Sequence, residues 1–266
     1  FTRPPLLQSL VDSPEIEAWL ARRSNRWNQG RDLSPLVLRA VSDFIMERDA
    51  GREGKSIVGD KSPSSLMDGQ AVRLMHKVYP DGKLIYIVRD GRDTVVSHRF
   101  QTFIDASQHL SQEDLRLREA FTHDAEPFMR GEQSIFTEKA IRWAAEGWAR
   151  NVTETDQVAR ELYRDHYHCL RYDHLLARPL EEMQRIWAFL GADQEASDLA
   201  RVLDDELARN PDADWQKQKA GDLIEPLEKG KQGSWRQLFT PRDRDIFKSI
   251  AGGALISWGF EQDLDW

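Results

Sequence analysis

The sequence predicts a three-layer, helix-rich α/β fold in which a central parallel sheet is flanked by helices. Three observations carry this. Residues 83–97 read Lys-Leu-Ile-Tyr-Ile-Val-Arg-Asp-Gly-Arg-Asp-Thr-Val-Val-Ser, an apolar run ended by charge and a glycine and followed by helical spacing. Within it, Leu84 to Val88 is continuously apolar and rich in β-branched and aromatic residues, the pattern of a strand buried on both faces of a sheet. Short runs at residues 57–59 and 168–172 add two further strands, and amphipathic stretches of helical period separate the three.

The corner after residue 88 is the most informative stretch. Arg89 and Asp90 end the strand, Gly91 allows a tight turn, and Asp93 falls in the first turn of the next helix, where the helix dipole favours an acid. Such a corner, at the carboxyl end of a parallel strand, is where open α/β sheets bind ligands, because helix amino-termini and loop amides converge there. Arg89 offers a rigid charged fork and Ser97, further along the helix, one more donor, so the two can meet a single phosphate. Spacing alone leaves a plainer alternative open, in which Arg89 pairs with Asp93 and Ser97 merely sits on the helix.

Composition narrows the function classes. At 266 residues the chain can bury a large core, in one α/β domain or two small ones. A formal net charge of -8 argues against coating a nucleic acid, although a few focused cations in a cleft can still bind one polyanion. The single cysteine, Cys169, excludes an intrachain disulfide and every multi-cysteine metal site. No run approaches the roughly 20 apolar residues of a membrane span and no signal peptide opens the chain, so the expected setting is cytoplasmic and reducing. Nine tryptophans is a high number, and core or substrate-pocket positions are expected for most.

Taken in order, residues 2–34 read as helical and polar, with helix starts at Ser13-Pro14-Glu15 and Ser34-Pro35. Leu36, Leu38, Val41, Phe44 and Ile45 then share one helical face. Gly51-Arg52-Glu53-Gly54-Lys55-Ser56 has the look of a nucleotide-binding P-loop tail. However, Asp49 stands where the first glycine belongs, and a helix precedes it and a strand follows, the reverse of what that loop needs. It is read as a surface loop. Asp60-Lys61-Ser62-Pro63 follows the strand at 57–59, and Pro63 suits a first helical turn, which puts Lys61 at a second strand-to-helix corner. The alternative is an ordinary solvated lysine. One helix and one strand separate Lys61 from Arg89, a βαβ unit whose two basic corners open on the same edge.

From Phe100 to about Arg164 the chain reads as helices with polar interruptions, including an apolar stripe through Ile141, Ala145, Trp148, Val152 and Val158. The stretch from Phe103 to Gly131 is irregular and polar, and is the expected variable segment over an acceptor pocket. A helix from Pro179 to Leu190 ends at Gly191. Residues 208–233 should form a long loop, and Thr240 caps the last helix.

The run Tyr86-Ile-Val-Arg-Asp-Gly-Arg-Asp-Thr-Val-Val-Ser97 resembles the 3′-phosphate-binding segment of sulfotransferases that use 3′-phosphoadenosine 5′-phosphosulfate (PAPS). Lys61-Ser62-Pro63 resembles the Lys-Thr-Pro or Lys-Ser-Pro element that this family places near the transferring sulfuryl group. Arg171-Tyr172-Asp173-His174-Leu175-Leu176, with Pro179 and Phe189-Leu190-Gly191, resembles its Arg-Tyr-Glu-Asp-Leu segment and Phe-Leu-Gly helix end. Lys229-Gly230-Lys231-Gln232-Gly233-Ser234-Trp235-Arg236 resembles its carboxyl-terminal Arg-Lys-Gly-x-x-Gly-Asp-Trp-Lys segment.

The resemblance implies a P-loop-like sulfotransferase fold, PAPS as donor and adenosine 3′,5′-bisphosphate as product, with no metal. Arg89 and Ser97 would hold the 3′-phosphate, and Lys61 would act on the leaving bridge oxygen or the sulfuryl oxygens. Tyr172 would lie near the adenine, its alternative being a core or rim tyrosine with a satisfied hydroxyl. Lys229 and Gly230 would belong to a loop over the nucleotide, where Gly230 lets backbone amides approach phosphate. Glu228 departs from the pattern, standing where the family has Arg. The family's first strand and its glycine-rich 5′-phosphosulfate loop are not found in these residues, so the expectation is a single sulfotransferase-like domain whose natural chain begins upstream of Phe1. The acceptor, a hydroxyl or amine on a small molecule, carbohydrate or lipid, is not specified, and none of the seven histidines is marked as the base. A non-catalytic nucleotide-binding or scaffold module of the same fold is the alternative. A nucleotide kinase or hydrolase is excluded by the lack of a complete Walker-type loop.

Overall fold

Strand β1, Leu84–Val88, forms where the apolar run predicts it and pairs in parallel with β2, Tyr167–Arg171. The computed structural model describes residues 34–61, 68–105, 110–192, 199–208 and 232–266, with Pro14, Ala18, Asp32 and Gln108 besides. Around the two strands lie α1 (Ser34–Glu53), α2 (Gly69–Val78), α3 (Gly91–Asp105), α4 (Gln112–His123), α5 (Glu126–Met129) and α6 (Glu138–Tyr163). After β2 come α7 (Tyr172–Ala177), α8 (Pro179–Leu190), α9 (Leu199–Ala208), α10 (Trp235–Leu238) and α11 (Pro241–Ser257). The fold is a helix-rich α/β architecture with a small parallel sheet, as the sequence predicts.

Helix α6 is the spine. The Thr137 hydroxyl caps it by accepting from Ala140 N, and the predicted stripe of Ile141, Ala145, Trp148, Val152 and Val158 is buried. It runs antiparallel to β1: Val158 shares a core cluster with Leu84 at the strand's start, and the Trp148 indole donates to the Arg89 carbonyl just past its end, at 3.3 Å. Helix α11 contributes Phe247, Ala251 and Leu255 to the core, and a capping box between Thr240 and Asp243 opens it. Helix α8 ends at Gly191 in the left-handed region, φ 78°, a conformation that favours glycine.

Several expectations are corrected. Residues 57–59 are not a strand: Ile57 and Val58 are 46% and 42% exposed, and the neighbour of β1 is β2. A three-residue run needs a paired strand for its backbone groups and apolar cover for its side chains, and among the described residues it has no pairing. The βαβ unit therefore falls away, and Lys61 lies on an exposed, irregular stretch rather than at a strand's end. Pro63 lies outside the described residues.

Strand β1 is not covered on both faces. Leu84, Tyr86 and Val88 are buried while Ile87 is 44% exposed, the alternation of a sheet with one solvated side. Strand β2 stops at Arg171, so Tyr172 opens a helix instead of ending a strand. The stretch from Phe103 to Gly131 is largely helical, with Ser111 capping α4, and it contributes Phe103, Phe121 and Phe128 to the core. Phe121 meets Phe128 edge-on at 5.3 Å between ring centroids, and Phe100 meets both Phe103 and Phe121, across helices whose outer faces are polar, which hides their periodicity in the sequence. In α1, Leu36 and Phe44 of the predicted apolar face are exposed. The predicted helix in residues 2–34 and the loop at 208–233 lie almost wholly outside the described residues.

Candidate functional site

The parallel register sets Val88 opposite Arg171, so the next residue of each strand, Arg89 and Tyr172, emerges beside the other. The Arg89 guanidinium carbon lies 5.5 Å from the centroid of the Tyr172 ring, within cation–π range. Helix α3 then starts at once, because the Asp90 carboxylate accepts from Arg92 N at 2.9 Å while its carbonyl accepts from Thr94 N and the Thr94 hydroxyl.

Residues three and four apart share a helix face, which puts Thr94, Ser97 and His98 of α3 together. The same spacing presents Trp148, Asn151 and Val152 from α6. With Tyr86 to Arg89 of β1, these two faces line a cavity of about 170 Å³. Sites that enclose a drug-sized ligand run to roughly 300–1,000 Å³. The cavity therefore has the size of a subsite for one part of a ligand.

Its chemistry suits an anion. Among the described lining residues there is no Asp or Glu, whereas Arg89 is cationic and Ser97 and Asn151 supply donors, the Thr94 hydroxyl being given to the Asp90 carbonyl. The Tyr86 hydroxyl donates to Asn151 Oδ1 at 2.7 Å, and burial pushes its phenol up, so it stays neutral. The His98 imidazole, at the rim, is held below its ordinary value by burial and by the charge on Arg89.

Gly91 serves close approach rather than turn conformation. A Cβ there would stand 2.4 Å from the Trp148 ring, and the residue has no positive φ. The corner is also gripped from the carboxyl-terminal side. Asp93, which the plainer sequence reading gave to Arg89, accepts from Gly233 N at 2.8 Å, Ser234 Oγ at 3.0 Å and Trp235 N at 3.3 Å. The buried Arg92 guanidinium packs against the rings of Trp235 and Trp266, 4.0 and 4.4 Å from their centroids, and pairs with Asp90 and Glu261.

Of the predicted site residues, Arg89 and Ser97 line one cavity, and Tyr172 adjoins Arg89. Lys61 is exposed and is not among the lining residues. Lys229 and Gly230 lie outside the described residues. Sequence reasoning missed His98, Thr94 and Asn151. The signal was present for the first two, which sit one residue after and three before Ser97 on its helix. Asn151 became legible only through its contact with Tyr86.

Among the described residues, no group of three or more His, Cys, Asp or Glu is placed to hold a metal ion, and no helix is long and apolar enough to cross a membrane. The family model described as the sulfotransferase family matches residues 8–196. No curated protein and no solved structure matches the chain. The matched span contains both strands, the corner between them and every residue lining the cavity, and it covers well over half of the 266 residues: the chain belongs to the sulfotransferase family.

Proposed function

We propose that the chain moves a sulfuryl group from PAPS to a hydroxyl or amine of a small-molecule, carbohydrate or lipid acceptor. The observation that supports this most is the meeting of Arg89 and Ser97 in a cavity whose described lining carries no carboxylate. In this reading the pair holds the 3′-phosphate, the guanidinium by its charged fork and the hydroxyl as a further donor. Tyr172, beside Arg89, takes the adenine side. Lys229 and Gly230 are assigned to the nucleotide on the resemblance of their segment alone.

In the reaction the acceptor oxygen or nitrogen forms a bond to sulfur as the bond from sulfur to the phosphate oxygen breaks. The electron pair leaves on adenosine 3′,5′-bisphosphate, and the acceptor proton passes to a base that is not assigned. Positioned cations stabilise the charge that builds on the leaving oxygen, with no covalent enzyme intermediate required. We assign that role to Lys61 on the resemblance of Lys61-Ser62-Pro63.

The position of Lys61 outside the cavity lining favours a second reading, a nucleotide-binding module that does not turn over. Titration with adenosine 3′,5′-bisphosphate, followed by a sulfate-transfer assay over an acceptor panel, separates the two. Binding with transfer supports the enzyme, and binding without transfer supports the module. In either case Arg89→Ala should weaken nucleotide affinity by about 100-fold with the circular dichroism unchanged, the scale of a lost charge-assisted hydrogen-bonding fork. Equal affinity in that variant would overturn the assignment of the cavity.

A further inference from the structure

We propose that His98 is a third ligand of the anion held by Arg89 and Ser97, and that it takes up a proton as that anion binds. This rests on the reading of the cavity as the 3′-phosphate subsite. His98 lines the same cavity, and Ser97 and His98 stand three and four residues after Thr94 on α3, so the two flank Thr94 at the cavity.

The groups that line the cavity together with His98 can be named element by element. Strand β1 contributes Arg89 and the neutral phenol of Tyr86, α6 contributes Trp148, Asn151 and Val152, and α3 itself adds Thr94 and Ser97. Tyr172 of α7 lies over Arg89. The described lining thus has one fixed positive charge, a single histidine and no carboxylate.

A phosphate monoester carries close to two negative charges above its second ionisation near pH 6. Arg89 balances one of them, and a second proton-binding group beside the phosphate balances the other. Before binding, burial and the Arg89 charge favour the neutral imidazole. The bound dianion reverses the sign of the local field, since an opposite charge a few ångströms away raises a histidine by about 1–3 pKa units. Proton uptake is the thermodynamic consequence, and linkage makes affinity fall as pH rises.

Calorimetric titration with adenosine 3′,5′-bisphosphate, in two buffers of different protonation enthalpy, reads the proton directly. For the unaltered chain, uptake approaching one proton is expected near pH 7, with log Kd rising between about pH 6.5 and 8 at a slope approaching ~1. His98→Gln should abolish the uptake, flatten that profile and weaken binding about tenfold at pH 7. Adenosine 5′-monophosphate, which lacks the 3′-phosphate, should show no uptake that depends on His98. Retained proton uptake or an affinity within about twofold in His98→Gln, or the same uptake with the monophosphate, would overturn the proposal. Failure of the unaltered chain to bind the bisphosphate would instead overturn the reading of the cavity, and this inference with it.

Discussion

The Trp148 indole donates to the carbonyl of Arg89 at 3.3 Å, tying the first residue after β1 to the middle of α6. The same ring lies where a side chain on Gly91 would stand, so one tryptophan both holds Arg89's backbone and forms a wall of the cavity.

Gly91→Ala is therefore expected to do more than stiffen a turn. A Cβ at 2.4 Å from the ring forces Trp148 to move, and overpacking of this kind costs about 1–3 kcal/mol. Thermal denaturation should show a melting temperature several degrees lower, and nucleotide affinity should fall with it. A variant as stable as the parent and binding equally well would show that the ring's position is not needed.

Asp93 joins the corner to residues 233–235 through three hydrogen bonds, and it is 2% exposed. Asp93→Ala leaves three donors, one buried and two half-buried, without their acceptor, which is expected to cost roughly 2–4 kcal/mol in urea denaturation. Asp93→Asn, which keeps one acceptor oxygen, should fall between the two. Equal stability of all three proteins would mean that the carboxylate contributes little to the corner.

Lys61→Ala tests the role drawn from Lys61-Ser62-Pro63. Stability should not change, because the residue is exposed. If the lysine stabilises charge in transfer, kcat falls by about 10²–10³ while affinity for adenosine 3′,5′-bisphosphate holds, the pattern of an interaction made only in the transition state. An unchanged kcat removes Lys61 from the chemistry.

Acid should expose the contribution of Asp114. Burial alone would raise its carboxyl, but the Ser111 hydroxyl, the Arg99 guanidinium and the Thr137 hydroxyl outweigh this and hold it below the usual carboxylate range. A depressed folded-state value stabilises the fold above the unfolded value, about pH 3.9, and that stabilisation is lost as pH falls through the folded value. Asp114→Asn should thus be less stable than the parent at pH 7, with the two converging below about pH 4 in a series of urea midpoints. A constant gap down to the lowest pH would refute the assignment.

What the sequence by itself determined is local. The apolar run ending at Val88, the acid in the first turn of α3, the stripe along α6, Gly191 after α8 and Thr240 before α11 each depend on residues a few positions apart, so each was legible. The helical phase that brings Ser97 to the cavity was legible for the same reason, and it carried His98 along unnoticed. Tertiary structure decided the rest. It paired β1 with β2 rather than with residues 57–59, left Lys61 outside the lining, set Tyr172 beside Arg89, and gave Gly91 its reason in the Trp148 ring. Strand pairing and ring packing take their free energy from partners far along the chain, 59 residues for Trp148 and Arg89 and 140 for Gly233 and Asp93, and no local pattern records which partner supplies the better contact.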